Sequence, residues 1–251
     1  MGKLIIGNWK MHGASRDLAE ADAVAADLAR RPSSARVAIC PSFVLLHRLA
    51  ERMAGTAVAV GAQDVHANDQ GAHTGDVSAA MLHDAGASLA IIGHSERRSD
   101  HFETCDQVAA KVRAALAADL EPIVCLGETL QERREGLALE VVLRQARDSL
   151  PDALAGKDFA VAYEPIWAIG AGVTPSLGEI AEIHAALAQA LRQRFPNTRP
   201  APILYGGSVK PANARDILAL AEVGGALVGA ASLKASDFLA IIRAADAAVA
   251  R

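Results

Sequence analysis

Short, continuous apolar runs recur along the chain, at residues 4–7, 37–40, 57–61, 89–93, 123–126, 159–163, 203–205 and 226–228. They do not alternate apolar with polar positions. Each therefore predicts a strand covered on both faces, as in a parallel sheet. Between the runs the spacing changes to a helical period. Leu18, Ala21, Ala25 and Leu28 share one face, as do Val108, Val112, Ala115 and Leu116. Ile180, Ile183, Leu187 and Leu191 repeat the pattern, and so do Phe238, Ile241, Ile242 and Ala245. Thr104 with Gln107, Thr129 with Glu132 and Ser176 with Glu179 have the form of capping boxes, and Pro211 suits a first helical turn. Strand-plus-helix units repeated eight times without a dividing linker predict an α/β protein, a single (β/α)8 barrel over residues 1–251. The alternative is an open doubly wound sheet, but the first turn lacks the G-x-G-x-x-G phosphate loop of that class.

Composition narrows the function. Hydrophobic residues make up 51% of the chain, enough for a large core, and 25 basic against 29 acidic residues give a net charge of −4. Arginines pair up at 30–31, 97–98 and 133–134 but form no basic stripe, which argues against nucleic-acid binding. No apolar run approaches a membrane span, and the first nine residues lack the core of a signal peptide. Three cysteines, Cys40, Cys105 and Cys125, are few and lack metal-ligand spacing. They fit reduced packing thiols in a cytoplasmic protein.

In a barrel of this kind chemistry belongs at the C-terminal ends of the strands. The first run ends in Asn8-Trp9-Lys10, which puts Asn8 and Lys10 on one side of an extended chain. Lys10 is either a surface lysine or a cation waiting for an anion. The fourth run ends in His94-Ser95-Glu96-Arg97-Arg98. His94 would open a helical turn, whose N-terminus lowers its pKa and keeps it a neutral donor; the alternative is a satisfied structural histidine. The acid and arginines beside it read as ion pairs holding the loop. Glu128, after the fifth run, reads as structural. The sixth run ends in Tyr163-Glu164-Pro165-Ile166-Trp167 and leads to Gly170, Gly172 and Pro175: an acid at a strand end, followed by a loop built to move. The last two runs end in Gly206-Gly207-Ser208 and Gly229-Ala230-Ala231-Ser232, small-residue turns that let backbone N–H groups approach an anion, unless geometry alone requires them. Neither a metal cluster nor a G-x-S-x-G elbow is evident. A base, a neutral donor, a cation and an anion cradle together suit proton abstraction beside a carbonyl of a small phosphorylated compound.

Four stretches, Gly7-Asn8-Trp9-Lys10-Met11, Gly93-His94-Ser95-Glu96-Arg97-Arg98, Tyr163 through Gly170 and Tyr205-Gly206-Gly207-Ser208-Val209, resemble the triosephosphate isomerase family, in order and across the whole chain. The resemblance implies interconversion of dihydroxyacetone phosphate and D-glyceraldehyde 3-phosphate, in glycolysis and gluconeogenesis, with no metal or organic cofactor. It implies that Glu164 moves the proton between carbons, neutral His94 polarises the carbonyl, and Lys10 supplies positive charge. Asn8 would position the substrate, with the phosphate at the backbone of Gly170, Ser208, Gly229 and Ala230. It further implies a lid from Pro165 onwards, and a homodimer made by the connection from Gln63 to Ser78, with Thr74 near its tip. An isomerase of a four-carbon ketose phosphate would share the same parts. Three positions depart from the family pattern: His12 for asparagine, Val173-Thr174-Pro175 at the far hinge of the lid, and Ala230 for the second glycine of a pair.

Overall fold

The protein, seen in a computed structural model that describes residues 2–169 and 174–249, alternates strands and helices throughout. In chain order these are β1 (Leu4–Asn8), α1 (Leu18–Arg30), β2 (Arg36–Cys40), α2 (Phe43–Met53), β3 (Val58–Ala62) and α3 (Ala79–Asp84). Then come β4 (Leu89–Ile92), α4 (Ser95–Asp100), α5 (Cys105–Ala117), β5 (Glu121–Leu126), α6 (Leu130–Arg134) and α7 (Ala138–Ser149). The chain ends with β6 (Ala160–Tyr163), α8 (Leu177–Arg194), β7 (Ile203–Tyr205), α9 (Pro211–Leu218), β8 (Gly225–Val228) and α10 (Ala235–Val249). Each strand pairs in parallel with the next, and β8 returns to β1, Leu4 opposite Gly225 and Gly7 opposite Val228. The eight strands therefore close into a barrel, and the open-sheet alternative is excluded.

The continuous apolar runs are explained by two separate cores. Leu4, Ile6, Ala38, Cys40, Leu89, Ile91, Ile123, Cys125, Ala160, Ala162, Leu204 and Leu227 pack together inside the barrel. Their neighbours of opposite parity, among them Ile5, Val37, Ile39, Ala90, Val124 and Val161, pack outward against the helices. A strand buried on both faces has no polar side to alternate with. The expected helix faces are the buried ones: Leu18, Ala21, Ala25 and Leu28 on α1, and Ile180, Ile183, Leu187 and Leu191 on α8. Thr104, Thr129 and Ser176 each accept an N–H from the residue three on, and Gln107, Glu132 and Glu179 reach back, so all three capping boxes form. A cap of this kind is worth about 1 kcal/mol. It fixes where each helix begins, and hence how long the loop before it can be.

Candidate active site

Strand parity places the site. Ala160 and Ala162 of β6 face the barrel interior, so two residues further on Glu164 continues the series into the mouth. Leu4 and Ile6 of β1 lead to Asn8 in the same way. On β4 the sequence breaks step. Leu89 and Ile91 face inward, and Gly93 then adopts φ +68, a left-handed turn favouring glycine, which delivers His94 to the mouth.

Glu164 is 1% exposed. Its Oε1 lies 2.8 Å from His94 Nε2, and its Oε2 accepts the Ser95 N–H at 2.9 Å. His94 is the N-cap of α4, and its Nδ1 accepts the Glu96 N–H at 3.2 Å. Nδ1 is thus bare, and the neutral ring carries its proton on Nε2, aimed at Glu164. Burial pushes the Glu164 carboxyl up, but His94, the Ser95 amide and Lys10 outweigh it and hold the group below the ordinary glutamate range. For His94 burial disfavours the charged ring, yet the Glu164 carboxylate prevails and raises its proton affinity. This corrects the expected lowering. The helix N-terminus does act on Nδ1, but with the carboxylate resting on Nε2 the opposite influence dominates.

Lys10 stands on the far side of the mouth with a left-handed backbone, φ +53, which is costly for a lysine. Its neighbours hold it there. The Lys10 N–H donates to Asn8 Oδ1 at 3.0 Å, while Gln63 Nε2 donates both to the Lys10 carbonyl at 2.9 Å and to the Cys40 carbonyl at 2.9 Å. Lys10 Nζ rests on Glu96 Oε1 at 2.5 Å. Glu96 is thus ion-paired, as its charge suggests, and its partner is a lysine of the mouth. Arg97 instead joins Asp64 and Glu103, at 2.8 and 2.5 Å, in a cluster shared with buried Lys111.

Around the rim between Glu164 and Lys10 lie the turns after β7 and β8. Asn213 Nδ2 donates to the Ser208 carbonyl at 2.9 Å and Ser232 Oγ to the Gly229 carbonyl at 2.7 Å, which fixes both turns. Among the described residues the backbone amides of Ser208, Gly229 and Ala230 have no acceptor. Ala230 opens a 3-10 turn, Ala230–Ser232, and is absent from the few non-glycine residues at positive φ, so replacing glycine there causes no backbone strain. Asn8, Lys10, His94, Glu164, Ser208, Gly229 and Ala230 all line one cavity of about 520 Å³. Gly170 and Val173 lie outside the described residues. Ile169, the last described residue before them, lines the same cavity.

Sequence reasoning missed the Ser95 amide, a backbone donor that no side-chain motif reveals, and Gln63, whose side-chain amide meets two carbonyls that only folding brings together. Glu128 is structural as expected: fully buried, its Oε1 accepts from Tyr163 Oη at 3.1 Å and from Trp167 Nε1 at 2.9 Å. Folding also gathers His66, His73 and Asp76, which are not at ligand spacing in the sequence. His66 Nδ1 accepts the Asn68 N–H at 3.0 Å, so the neutral ring keeps its proton on Nε2, facing Asp76 at 3.7 Å. That tautomer suits a loop clasp rather than a metal ligand. A second cavity, about 550 Å³, lies towards the opposite end of the barrel. Its Lys3 donates to the Val223 carbonyl and its Arg192 pairs with Glu222, an arrangement without an acid–base pair.

A closed barrel with a carboxylate, an imidazole and a lysine converging beside the backbone amides of two small-residue turns defines a (β/α)8-barrel enzyme of the acid–base kind. Residues 3–245 match the family model described as triosephosphate isomerase. The chain is 62% identical to the triosephosphate isomerase of Caulobacter vibrioides over 242 residues, covering 96% of each. It is 54% identical to that of Xanthobacter flavus, again over 96% of each chain. The crystal structure of triosephosphate isomerase from Bartonella henselae superposes with a TM-score of 0.90 at 43% identity, covering 97% of this chain and 99% of that one. The chain belongs to the triosephosphate isomerase family.

Proposed function

We infer that the protein interconverts dihydroxyacetone phosphate and D-glyceraldehyde 3-phosphate through an enediolate, as a cytoplasmic enzyme of glycolysis and gluconeogenesis. The observation that carries the site assignment is the 2.8 Å contact between Glu164 and His94 inside a cavity edged by amides that have no acceptor among the described residues. Glu164 is the carbon base. To reach a substrate C–H its carboxylate leaves the Ser95 amide and His94 Nε2, takes the proton, and returns it to the neighbouring carbon. His94 Nε2–H then faces the carbonyl oxygen, donates to it as negative charge develops, and carries a proton between the two oxygens. Once Glu164 has turned away, burial and the Glu96 N–H on Nδ1 both favour the neutral ring. Lys10 exchanges Glu96 for the substrate, Asn8 positions the substrate, and the amides of Gly170, Ser208, Gly229 and Ala230 grip the phosphate. The loop from Pro165 closes over the site and excludes water, which strengthens each of these contacts.

The same reading makes the protein a homodimer through the connection from Gln63 to Ser78. Exposed Met11 and Phe43 line a groove beside Lys10 together with Gln63, Asp64 and His101. An inserted loop tip carrying Thr74 would cover this apolar surface. Among the described residues no helix is long and apolar enough to cross a membrane. A coupled assay with dihydroxyacetone phosphate, repeated on a four-carbon ketose phosphate, tests the substrate. Greater kcat/KM for the four-carbon sugar would overturn the assignment, and a monomer in light scattering at micromolar concentration would overturn the dimer.

A further inference from the structure

Arg98 touches none of the cavity, yet its guanidinium joins the two strand ends that carry the acid–base pair. The β4–β5 ladder ends where Ile92 faces Val124. Gly93 then turns at φ +68 and the two strands part. Leu126 O accepts the Glu164 N–H at 2.7 Å, towards β6. Cys125, one residue earlier, presents its carbonyl to the opposite side, towards β4. In that gap Arg98 Nε donates to Gly93 O at 2.9 Å and Nη2 donates to Cys125 O at 3.2 Å. Nη2 also reaches Ser149 Oγ at 3.2 Å, and Nη1 lies 3.6 Å from Cys105 Sγ.

The two carbonyls sit directly behind the reacting groups. Gly93 precedes His94. Cys125 precedes Leu126, whose carbonyl holds the Glu164 backbone, and a Cβ on the next residue, Gly127, would fall 1.7 Å from the Glu164 carbonyl oxygen. The β5 end is thus packed tightly against the backbone of the base. Among the described residues Arg98 has no carboxylate within ion-pair distance. A half-buried guanidinium met only by neutral groups is a poor stabiliser. Its planar fork is well suited to holding two acceptors at a fixed separation, which an ammonium cannot do.

The geometry points to Arg98 as a positioning residue for the isomerisation, one that sets the spacing of His94 and Glu164 by clamping the Gly93 and Cys125 carbonyls. The inference rests on His94 and Glu164 being the acid–base pair. Arg98→Met and Arg98→Lys should each lower kcat roughly 10- to 100-fold, the loss expected when reacting groups shift by a fraction of an ångström. KM should stay within about twofold, because the phosphate turns after β7 and β8 are remote from Arg98. Affinity for a planar hydroxamate analogue of the enediolate should fall in parallel with kcat/KM, while competitive inhibition by inorganic phosphate stays constant. Ser149→Ala, which keeps the guanidinium but removes one of its acceptors, should give a smaller fall in kcat and remains informative if the Arg98 variants do not fold. Millimolar guanidinium should restore part of the kcat of Arg98→Ala. Folded Arg98 variants with wild-type kcat and wild-type hydroxamate affinity would overturn the inference even if their melting temperature fell. The wild type and His94→Gln, assayed alongside, separate the two levels. A wild type inert towards triose phosphates removes the underlying reading, whereas a crippled His94→Gln beside unaffected Arg98 and Ser149 variants removes only the role of Arg98.

Discussion

Gly206 leaves empty the space that the Glu164 side chain occupies: a Cβ on residue 206 would lie 2.8 Å from Glu164 Cγ and 3.2 Å from the Tyr163 carbonyl oxygen. The glycine is thus as much a part of the base's seat as of the phosphate turn. Gly206→Ala should fold, since the severe clash is with the Glu164 side chain and the Tyr163 carbonyl need give by only a few tenths of an ångström, yet displace the carboxylate. We expect kcat to drop by roughly 10-fold or more, and steady-state kinetics beside a circular dichroism spectrum checks it. Wild-type kcat in the alanine variant would show that the base has room to spare.

Shortening the base tests the same seat from the other side. Glu164→Asp withdraws the carboxylate by one methylene from carbon, from Ser95 N–H and from His94. A fall in kcat of roughly 10²-fold with little change in melting temperature is expected. If single-turnover rates were unaffected, Glu164 would not be the base.

The His94–Glu164 contact also predicts a titration. The carboxylate raises the proton affinity of His94 in the free protein, so Glu164→Gln should lower the imidazole pKa towards what burial and the Glu96 amide dictate. Nitrogen-15 NMR of the ring reads this directly. An imidazole pKa that stayed put or rose in the variant would contradict the electrostatic account.

His184 governs a different pH range. It is fully buried between Tyr163 and Tyr205, with Nδ1 3.3 Å from the Glu222 carbonyl and Nε2 without a partner among the described residues. Burial, the largest influence, lowers its pKa from 6.5 to about 4, against a smaller opposing effect of the Glu222 carbonyl. The unfolded chain therefore binds a proton that the folded one refuses. Stability is undiminished above pH 6.5, falls as the pH drops below it, and levels off once the pH passes the folded value. The total is on the order of 3 kcal/mol. His184→Gln should show a shallower decline in urea-melt stability between pH 6.5 and 4 than the wild type. Parallel curves would dismiss the effect.

Much of this was legible in the residues. Continuous runs give strands buried on both faces, and the three capping boxes and Pro211 give helix starts at the right positions. The candidate residues at the strand ends, Asn8, Lys10, His94, Glu164, Ser208, Gly229 and Ala230, meet in one cavity because a closed barrel brings all such ends to one rim. The misreadings share a cause. Glu96 reads as an ion-pairing residue, but its partner, Lys10, is reached only once a helical turn aims it across the mouth. His94 was credited with its helix but not with Glu164, which is adjacent only after folding. Pro122 concealed the start of β5, because proline weakens a strand signal although the residue fits here. Backbone donors such as the Ser95 amide carry no residue-type signature at all.

The pairing of β8 with β1 has a bearing on how the protein is made. Asn8 and Lys10 leave the ribosome well before Gly229 and Ala230, yet Leu4 finds Gly225 only when both are free. Until then β1 has an unsatisfied edge and the rim has no anion cradle. A nascent chain that has not yet reached β8 therefore lacks both the strand that closes the barrel and the turn that completes the rim, so the base and the imidazole are made well before the pocket that gives them a task.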